Sequence, residues 1–163
     1  MTFIAQASFL ALSLIATAAS AQAVRVEKNM SLDLANQIAA ATVAACSASG
    51  HNVTAAVVDR AGSLRALQRA DNAGQHTVGA AQGKAYTSAS ARNTTAAMLE
   101  NVQKNPGAAT LVDIPGFLVL GGGVPVKVGN EVIGAVGVGG APGGHLDEQC
   151  ANAGIAKVAE LLK

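Results

Sequence analysis

Two hairpin signals constrain what this chain can fold into more than any other feature of it. Val53-Thr54-Ala55-Ala56-Val57-Val58 reads as a strand, Asp59-Arg60-Ala61-Gly62 as a turn, and Ser63 to Arg69 alternates polar and apolar residues as a second strand. Val124 to Val128 and Glu131 to Val138 repeat the arrangement across Gly129-Asn130, a pair suited to a tight turn. Phe117 to Leu120, leading into Gly121-Gly122-Gly123, reads as one further strand. Short hairpin connections join antiparallel neighbours, whereas parallel neighbours need long crossovers. The sheet is therefore expected to be antiparallel.

Helical spacing surrounds these strands. Ser31 is a good N-cap, and Leu34, Ile38, Thr42 and Ala45 form one stripe, with Leu32, Ala35, Ala39, Val43 and Cys46 beside it. Gly50 closes this first helix. An Ala-rich helix runs from Gly74 to Arg92, and another follows Asn93-Thr94 through Ala96, Met98 and Leu99. Pro106 ends it, leaving residues 105–115 as loop. After a glycine-rich loop at 139–144, Asp147 is expected to cap a last helix carrying Ile155, Val158, Leu161 and Leu162. The order α, ββ, αα, βββ, α describes an α+β domain. There is no internal repeat and no linker.

The N-terminus reads as an address. No charged residue occurs from Phe3 to Ala19, and Phe9 to Ala16 is apolar. Ala19-Ser20-Ala21 and Ala21-Gln22-Ala23 both match the small-residue pattern read by signal peptidase, placing the cut before Gln22 or Val24. The apolar centre is shorter than the ~20 residues that a membrane span needs. We therefore expect residues 1–23 to be a cleavable bacterial Sec-type signal, with no stable membrane anchor after cleavage. Residues 24–163 then form one periplasmic or secreted domain. A mature chain of about 140 residues fits a single core. Its net charge of +1 shows no basic cluster, and Tyr86 and Phe117 are its only aromatic residues. Both counts argue against nucleic acid as a partner, which needs phosphate-neutralising charge or stacking platforms.

The glycine-rich stretches do not have the shape of a nucleotide site. Gly121-Gly122-Gly123-Val124-Pro125 runs into a strand, and Gly134, Gly137, Gly139 and Gly140 lie along one, so they read as bulges and close backbone packing. The loop at 139–144 does enter a helix, and a small anion suits it. Cys46 and Cys150 can pair, stay buried as small hydrophobes, or react. If the first and last helices pack antiparallel on one face of the sheet, the two Cα atoms approach the ~5.5–6 Å that a disulfide prefers. No zinc-type cysteine spacing is present.

Four segments carry a resemblance. Asp59-Arg60-Ala61-Gly62 with Leu64 and Arg69-Ala70-Asp71, Lys84-Ala85-Tyr86-Thr87-Ser88, Gly122-Gly123-Val124-Pro125-Val126, and Val132-Ile133-Gly134-Ala135-Val136-Gly137-Val138 resemble, in order, the motifs of the GlcG/HbpS group of haem-binding-like proteins. The same group includes the C-terminal domain of PduO-type proteins. The resemblance covers about residues 30 to 163. It implies a profilin-like α/β/α arrangement with a five-stranded antiparallel sheet, homo-oligomers, and haem or a related tetrapyrrole as the small-molecule ligand. Two departures stand out: Gly139-Gly140 where many members carry Ser-Gly, and Asn72-Ala73-Gly74 in place of Gly-Ala.

Haem iron needs an axial donor and an apolar slot. His76, in the first turn of the Ala-rich helix, is the preferred iron ligand. His145 in the Gly-Gly-His loop and Tyr86 are further donors. His51, just past a helix end, reads first as a partner for the terminal carbonyls. Lys84 and Thr87 lie one helical turn apart and can offer a cation and a hydroxyl to a carboxylate or propionate, or else be a solvated lysine and a packed threonine. Asp59 and Arg69 read as an ion pair fixing the hairpin. No nucleophile stands at recognisable spacing from a base, so catalysis is not the first expectation. The alternatives are an enzyme acting on a small carboxylic acid and a non-catalytic oligomeric accessory subunit.

Overall fold

A computed structural model describes residues 23–163; the expected signal peptide, residues 1–23, lies outside the described residues except for Ala23. Helix α1 spans Leu32–Ala48, strands β1 and β2 span Thr54–Asp59 and Leu64–Arg69, and helices α2 and α3 span His76–Ala91 and Thr95–Lys104. A 3-10 helix at Pro106–Asp113 follows, then strands β3 (Gly123–Val128) and β4 (Glu131–Gly139), helix α4 (Gly144–Lys157) and a short 3-10 turn at Ala159–Leu162. The strands form one antiparallel sheet in the order β2-β1-β4-β3. No helix among the described residues is long and apolar enough to cross a membrane.

The sheet has four strands, not five. Phe117 to Leu120 is irregular because side chains take up its backbone groups. Leu118 N–H donates to Thr87 Oγ1, and Leu120 C=O accepts from Thr95 Oγ1. Those bonds tie the segment to α2 and α3 instead of to the edge of β3. Residues 106–113, expected as loop, wind into the 3-10 helix that follows Pro106.

The two faces of the sheet are packed differently. On one face, Val57, Val124, Val126, Val136 and Val138 meet Leu34, Ile38 and Ala39 of α1 and Ala151 of α4 in the larger core. On the other, Ala56, Val58 and Ala135 meet Ala81, Ala85 and Ala89 of α2. Small side chains on both partners bring α2 close to the strands. At Gly137, paired with Ala56 of β1, a Cβ would stand 2.1 Å from the Ala81 carbonyl oxygen and 2.4 Å from the Ala85 nitrogen. The glycine-rich β4 is thus what lets α2 sit on the sheet.

Helices α1 and α4 cross antiparallel. Thr42 lies against Gly154 and Cys46 against Cys150, whose Cα atoms are 5.3 Å apart with the sulfurs joined. The close crossing leaves Thr42 Oγ1 buried without a hydrogen-bond partner. Local signals behave as their chemistry dictates. Ser31 Oγ accepts from Leu34 N–H to start α1, Gly50 follows its end at φ +78°, and Gly129 turns the second hairpin at φ +60°.

The first hairpin is not fixed by an Asp59–Arg69 ion pair. Asp59 Oδ1 instead accepts from the Ala61 and Ser63 amides inside the turn, and Arg69 donates to the Ala73 carbonyl. An aspartate beginning a tight turn finds amides two and four residues on more cheaply than a partner across the hairpin.

Candidate functional site

Helix α2 lays Lys84 on the seam where the sheet meets the start of α4. The side chain is sealed from solvent: its Nζ donates to Asp147 Oδ2 and to the Val138 carbonyl, each at 2.8 Å. Asp147 does not cap α4. Gly143 occupies the cap position, and Asp147, one turn in, uses its other oxygen to accept from Ala141 N–H at 3.0 Å. A buried carboxylate therefore ties three elements together: α2 through Lys84, α4 through its own backbone, and the 139–144 loop through Ala141.

Above this pair the loop leaves a cavity of about 300 Å³, lined by His76, Thr77, Ala80, Lys84, Leu120, residues 139–144 and Asp147. Thr77 anchors that corner. Thr54 Oγ1 lies 2.7 Å from Thr77 Oγ1, which donates to the Gly74 carbonyl, so α2 starts at a fixed point on β1. His76 and Lys84 are thus brought to one cavity, as their proximity in the sequence suggested. Lys84 is neither solvated nor free, however, since burial and Asp147 hold it.

Thr87 is not part of this cavity. Its hydroxyl donates to the Gly83 carbonyl and accepts from Leu118 N–H, both at 2.7 Å, and the residue is fully buried away from the cavity. Tyr86 points elsewhere again. Its ring rests on Gly62 and Gly116, both at positive φ, and meets Phe117 edge-on with centroids 6.1 Å apart. It borders a separate recess of about 340 Å³ with Leu64 and Gln82. His51 borders a third, of about 200 Å³, beside Cys150 and Leu146, and its N–H donates to the Cys46 carbonyl.

His145 occupies a larger groove, of about 570 Å³, between α3 and the first half of α4. Ala96, Leu99 and Leu120 supply apolar walls, and Glu100, Gln103, Glu148 and Asn152 a polar rim. Partial burial raises the Glu148 carboxyl above the ordinary carboxylate value. Lys104 holds Glu100 below it, first by their hydrogen bond and then by its charge. The groove and the His76 cavity adjoin at Leu120 and Gly144. No cluster of three metal-ligating side chains occurs among the described residues.

Comparison with known proteins places this architecture. The family described as "Haem degrading protein HbpS-like" matches residues 30–156. The chain belongs to the HbpS-like family. Protein GlcG of Escherichia coli strain K12 is 38% identical over 109 residues, which are 64% of this chain and 80% of GlcG. The crystal structure of a double mutant of HbpS from Streptomyces reticuli superposes with a TM-score of 0.79 at 35% identity, covering 95% of this chain and 99% of that one. A complex of PduOC with heme superposes at 0.70, covering 78% of this chain and 94% of that one; at 23% identity the likeness carries the fold alone. This HbpS-like chain keeps an α+β fold with an antiparallel sheet flanked by helices.

Sequence reasoning missed two features of the site. One is Asp147 as the buried partner of Lys84, since the two stand far apart in the chain and Asp147 has the look of a cap. The other is the α3–α4 groove, whose walls come from three segments. The Lys84-Ala85-Tyr86-Thr87 motif held the signal for the first: a lysine amid alanines on a buried helix face needs an anion.

Proposed function

We propose that this is an exported small-ligand-binding protein whose ligand is haem or a related tetrapyrrole, held in the groove between α3 and α4 with His145 as the iron ligand. One observation carries the reading. The groove of about 570 Å³ is walled by Ala96, Leu99 and Leu120 and has an imidazole at its edge, which are the apolar slot and the axial donor that haem iron requires. Its volume falls within the ~300–1,000 Å³ of small-molecule pockets, whereas the cavity at His76 sits at the bottom of that range. Hence His145 replaces His76 as the preferred donor. Lys84, paired with Asp147, is withdrawn from the role of propionate partner. Bound haem would supply an iron centre whose oxidation and ligand state the protein can respond to. The chain's own part is to orient the ring between the leucines and to donate one imidazole nitrogen.

The HbpS-like family, described as haem degrading, supports a tetrapyrrole over other planar ligands. Export rests on the uncharged N-terminal segment ending in small residues. Self-association into homo-oligomers is supported by the outer face of α1 and α4, where Ala40, Ala41, Ala44 and Ala48 border an apolar recess of about 580 Å³.

Titration of the mature protein with haemin, followed by its Soret band, tests the reading. A saturable band that His145→Ala abolishes and His76→Ala preserves is expected. Absence of the band would sink the haem assignment, and its loss in His76→Ala alone would return the iron to the smaller cavity.

A further inference from the structure

Beside the alanines that face the sheet, α2 carries a second stripe. Gly79, Gln82, Gly83 and Tyr86 recur at helical spacing and border the recess of about 340 Å³, which Val58 and Leu64 wall from the strands. Glycine inside a helix is less stable than alanine, yet a Cβ at Gly79 would meet nothing within 4 Å. No close contact requires glycine there. What its missing side chain leaves is open recess.

Tyr86 is fixed at the rim. A Cβ at Gly62 would stand 2.7 Å from its Cδ2 and one at Gly116 3.1 Å from its Cε1, and both glycines are at positive φ. Phe117 meets the ring edge-on. So held, Tyr86 stays 36% exposed beside Leu64 at 48%. Large apolar side chains kept in water around a cavity mark a binding surface.

The lining selects the ligand. No charged side chain borders the recess, so an ionised ligand would leave water without a partner. Gln82 brings one amide and Tyr86 one hydroxyl, enough for a single polar group. Glycine at four of the eight lining positions leaves bare backbone against which a flat ring can lie, and Tyr86 adds an aromatic partner. A volume near the bottom of the ~300–1,000 Å³ range of small-molecule pockets suits one ring rather than several.

We propose that this recess binds an uncharged single-ring aromatic molecule bearing a hydroxyl or amide, its ring against Leu64 and Tyr86 and its polar group on Gln82. The recess shares no lining residue with the α3–α4 groove and does not rest on the haem reading.

Tyr86 reports on its own site, because the chain has one tyrosine and no tryptophan. The test follows tyrosine emission of the purified protein without haem during titration with benzyl alcohol. Benzoate and benzylammonium serve as charged ligands of similar shape. A saturable change with benzyl alcohol, half-complete on the order of 1 mM, is expected. Both ions should bind at least about fivefold more weakly. The decisive variant is Gly79→Leu, which places a good helix former in open space. It should unfold at the same or a higher urea concentration than the native protein and weaken benzyl alcohol by about tenfold or more. Gln82→Ala should weaken it by about threefold or more through the lost hydrogen bond. A change that does not saturate, equal binding of either ion, or undiminished binding in either variant would overturn the proposal. So would a lower unfolding midpoint for Gly79→Leu, which would mean that the fold itself requires the glycine.

Discussion

Lys84 Nζ lies 2.8 Å from Asp147 Oδ2, and the two side chains are only 3% and 4% exposed. A pair so completely withdrawn from water is held by geometry: Val138 C=O and Ala141 N–H occupy further hydrogen-bonding positions on the two groups. Removing one partner strands the other. Lys84→Met is expected to lower unfolding stability by about 3–5 kcal/mol, because Asp147 is then a buried charge without compensation. The double variant Lys84→Met with Asp147→Leu should recover a large part of that loss, since an apolar pair of similar volume incurs no desolvation cost. Urea denaturation of the single and double variants gives both numbers. Equal losses in the two would show that packing rather than charge is at stake.

Close packing of α2 on the sheet predicts a second sensitivity. A methyl at position 137 would enter the van der Waals space of the Ala81 carbonyl and the Ala85 amide, both backbone atoms that cannot rotate away. Gly137→Ala is therefore expected to destabilise by about 3 kcal/mol, at the upper end of overpacking costs. Gly129→Ala tests a different matter. Nothing lies near a Cβ there, and only the φ of +60° resists it, so a loss of about 1 kcal/mol is expected. Thermal or denaturant unfolding should rank the two in that order.

How far the sequence could be read follows from the range of the interactions involved. Ser31, Gly50 and the Gly129-Asn130 turn were legible because a cap or turn is decided within four residues. The hairpins and α1 followed from period alone. The expected fifth strand at 117–120 was misread because its competitors, Thr87 and Thr95, lie 31 and 25 residues away in the chain. The same distance problem hid the site. Lys84 and Asp147 are separated by 63 positions, and no local pattern distinguishes an aspartate that caps a helix from one that reaches across to a lysine. His76 and His145 were both visible as donors. Which of them borders the larger groove depends on how α3 leans on α4, and periodicity carries no information about that.

Thr42 offers a stabilising substitution. Its hydroxyl is buried at the α1–α4 crossing without a partner, and a Cβ on Gly154 would stand 2.0 Å from that oxygen. Valine keeps the shape and removes the polar atom. Thr42→Val is expected to raise stability by about 1 kcal/mol, the cost of an unsatisfied buried hydroxyl. Loss of stability on this substitution would mean that the oxygen is solvated or bonded in solution.

The Cys46–Cys150 bond spans 104 residues and fastens α4, which carries Asp147, His145 and Glu148, to α1. Closing a loop of that length restricts the unfolded chain and contributes about 4–5 kcal/mol in the chain-entropy account. A thiol assay of the protein purified without reductant, under denaturing conditions, should find no free sulfhydryl before reduction and two after it. Cys46→Ala with Cys150→Ala should then unfold at markedly lower denaturant concentration. Two free thiols in the unreduced protein would show that these cysteines serve only as packed apolar groups.

Glu148 gives the groove a pH dependence of predictable sign. Partial burial raises its folded carboxyl above the ordinary glutamate value, so the folded protein favours the protonated form. Its contribution to stability is fully present below the unfolded value and is lost as the pH rises through the raised folded value. Glu148→Gln, which never ionises, should therefore be more stable than the native protein at pH 7, with the gap closing as the pH falls below about 4. The side chain is only half-buried, at the rim of the groove, so the gap should stay below about 1 kcal/mol. Denaturation midpoints for both proteins between acidic and neutral pH provide the measurement. A gap that widens toward acid would mean that the ionised carboxylate has a partner in the fold, and that burial is not what governs it.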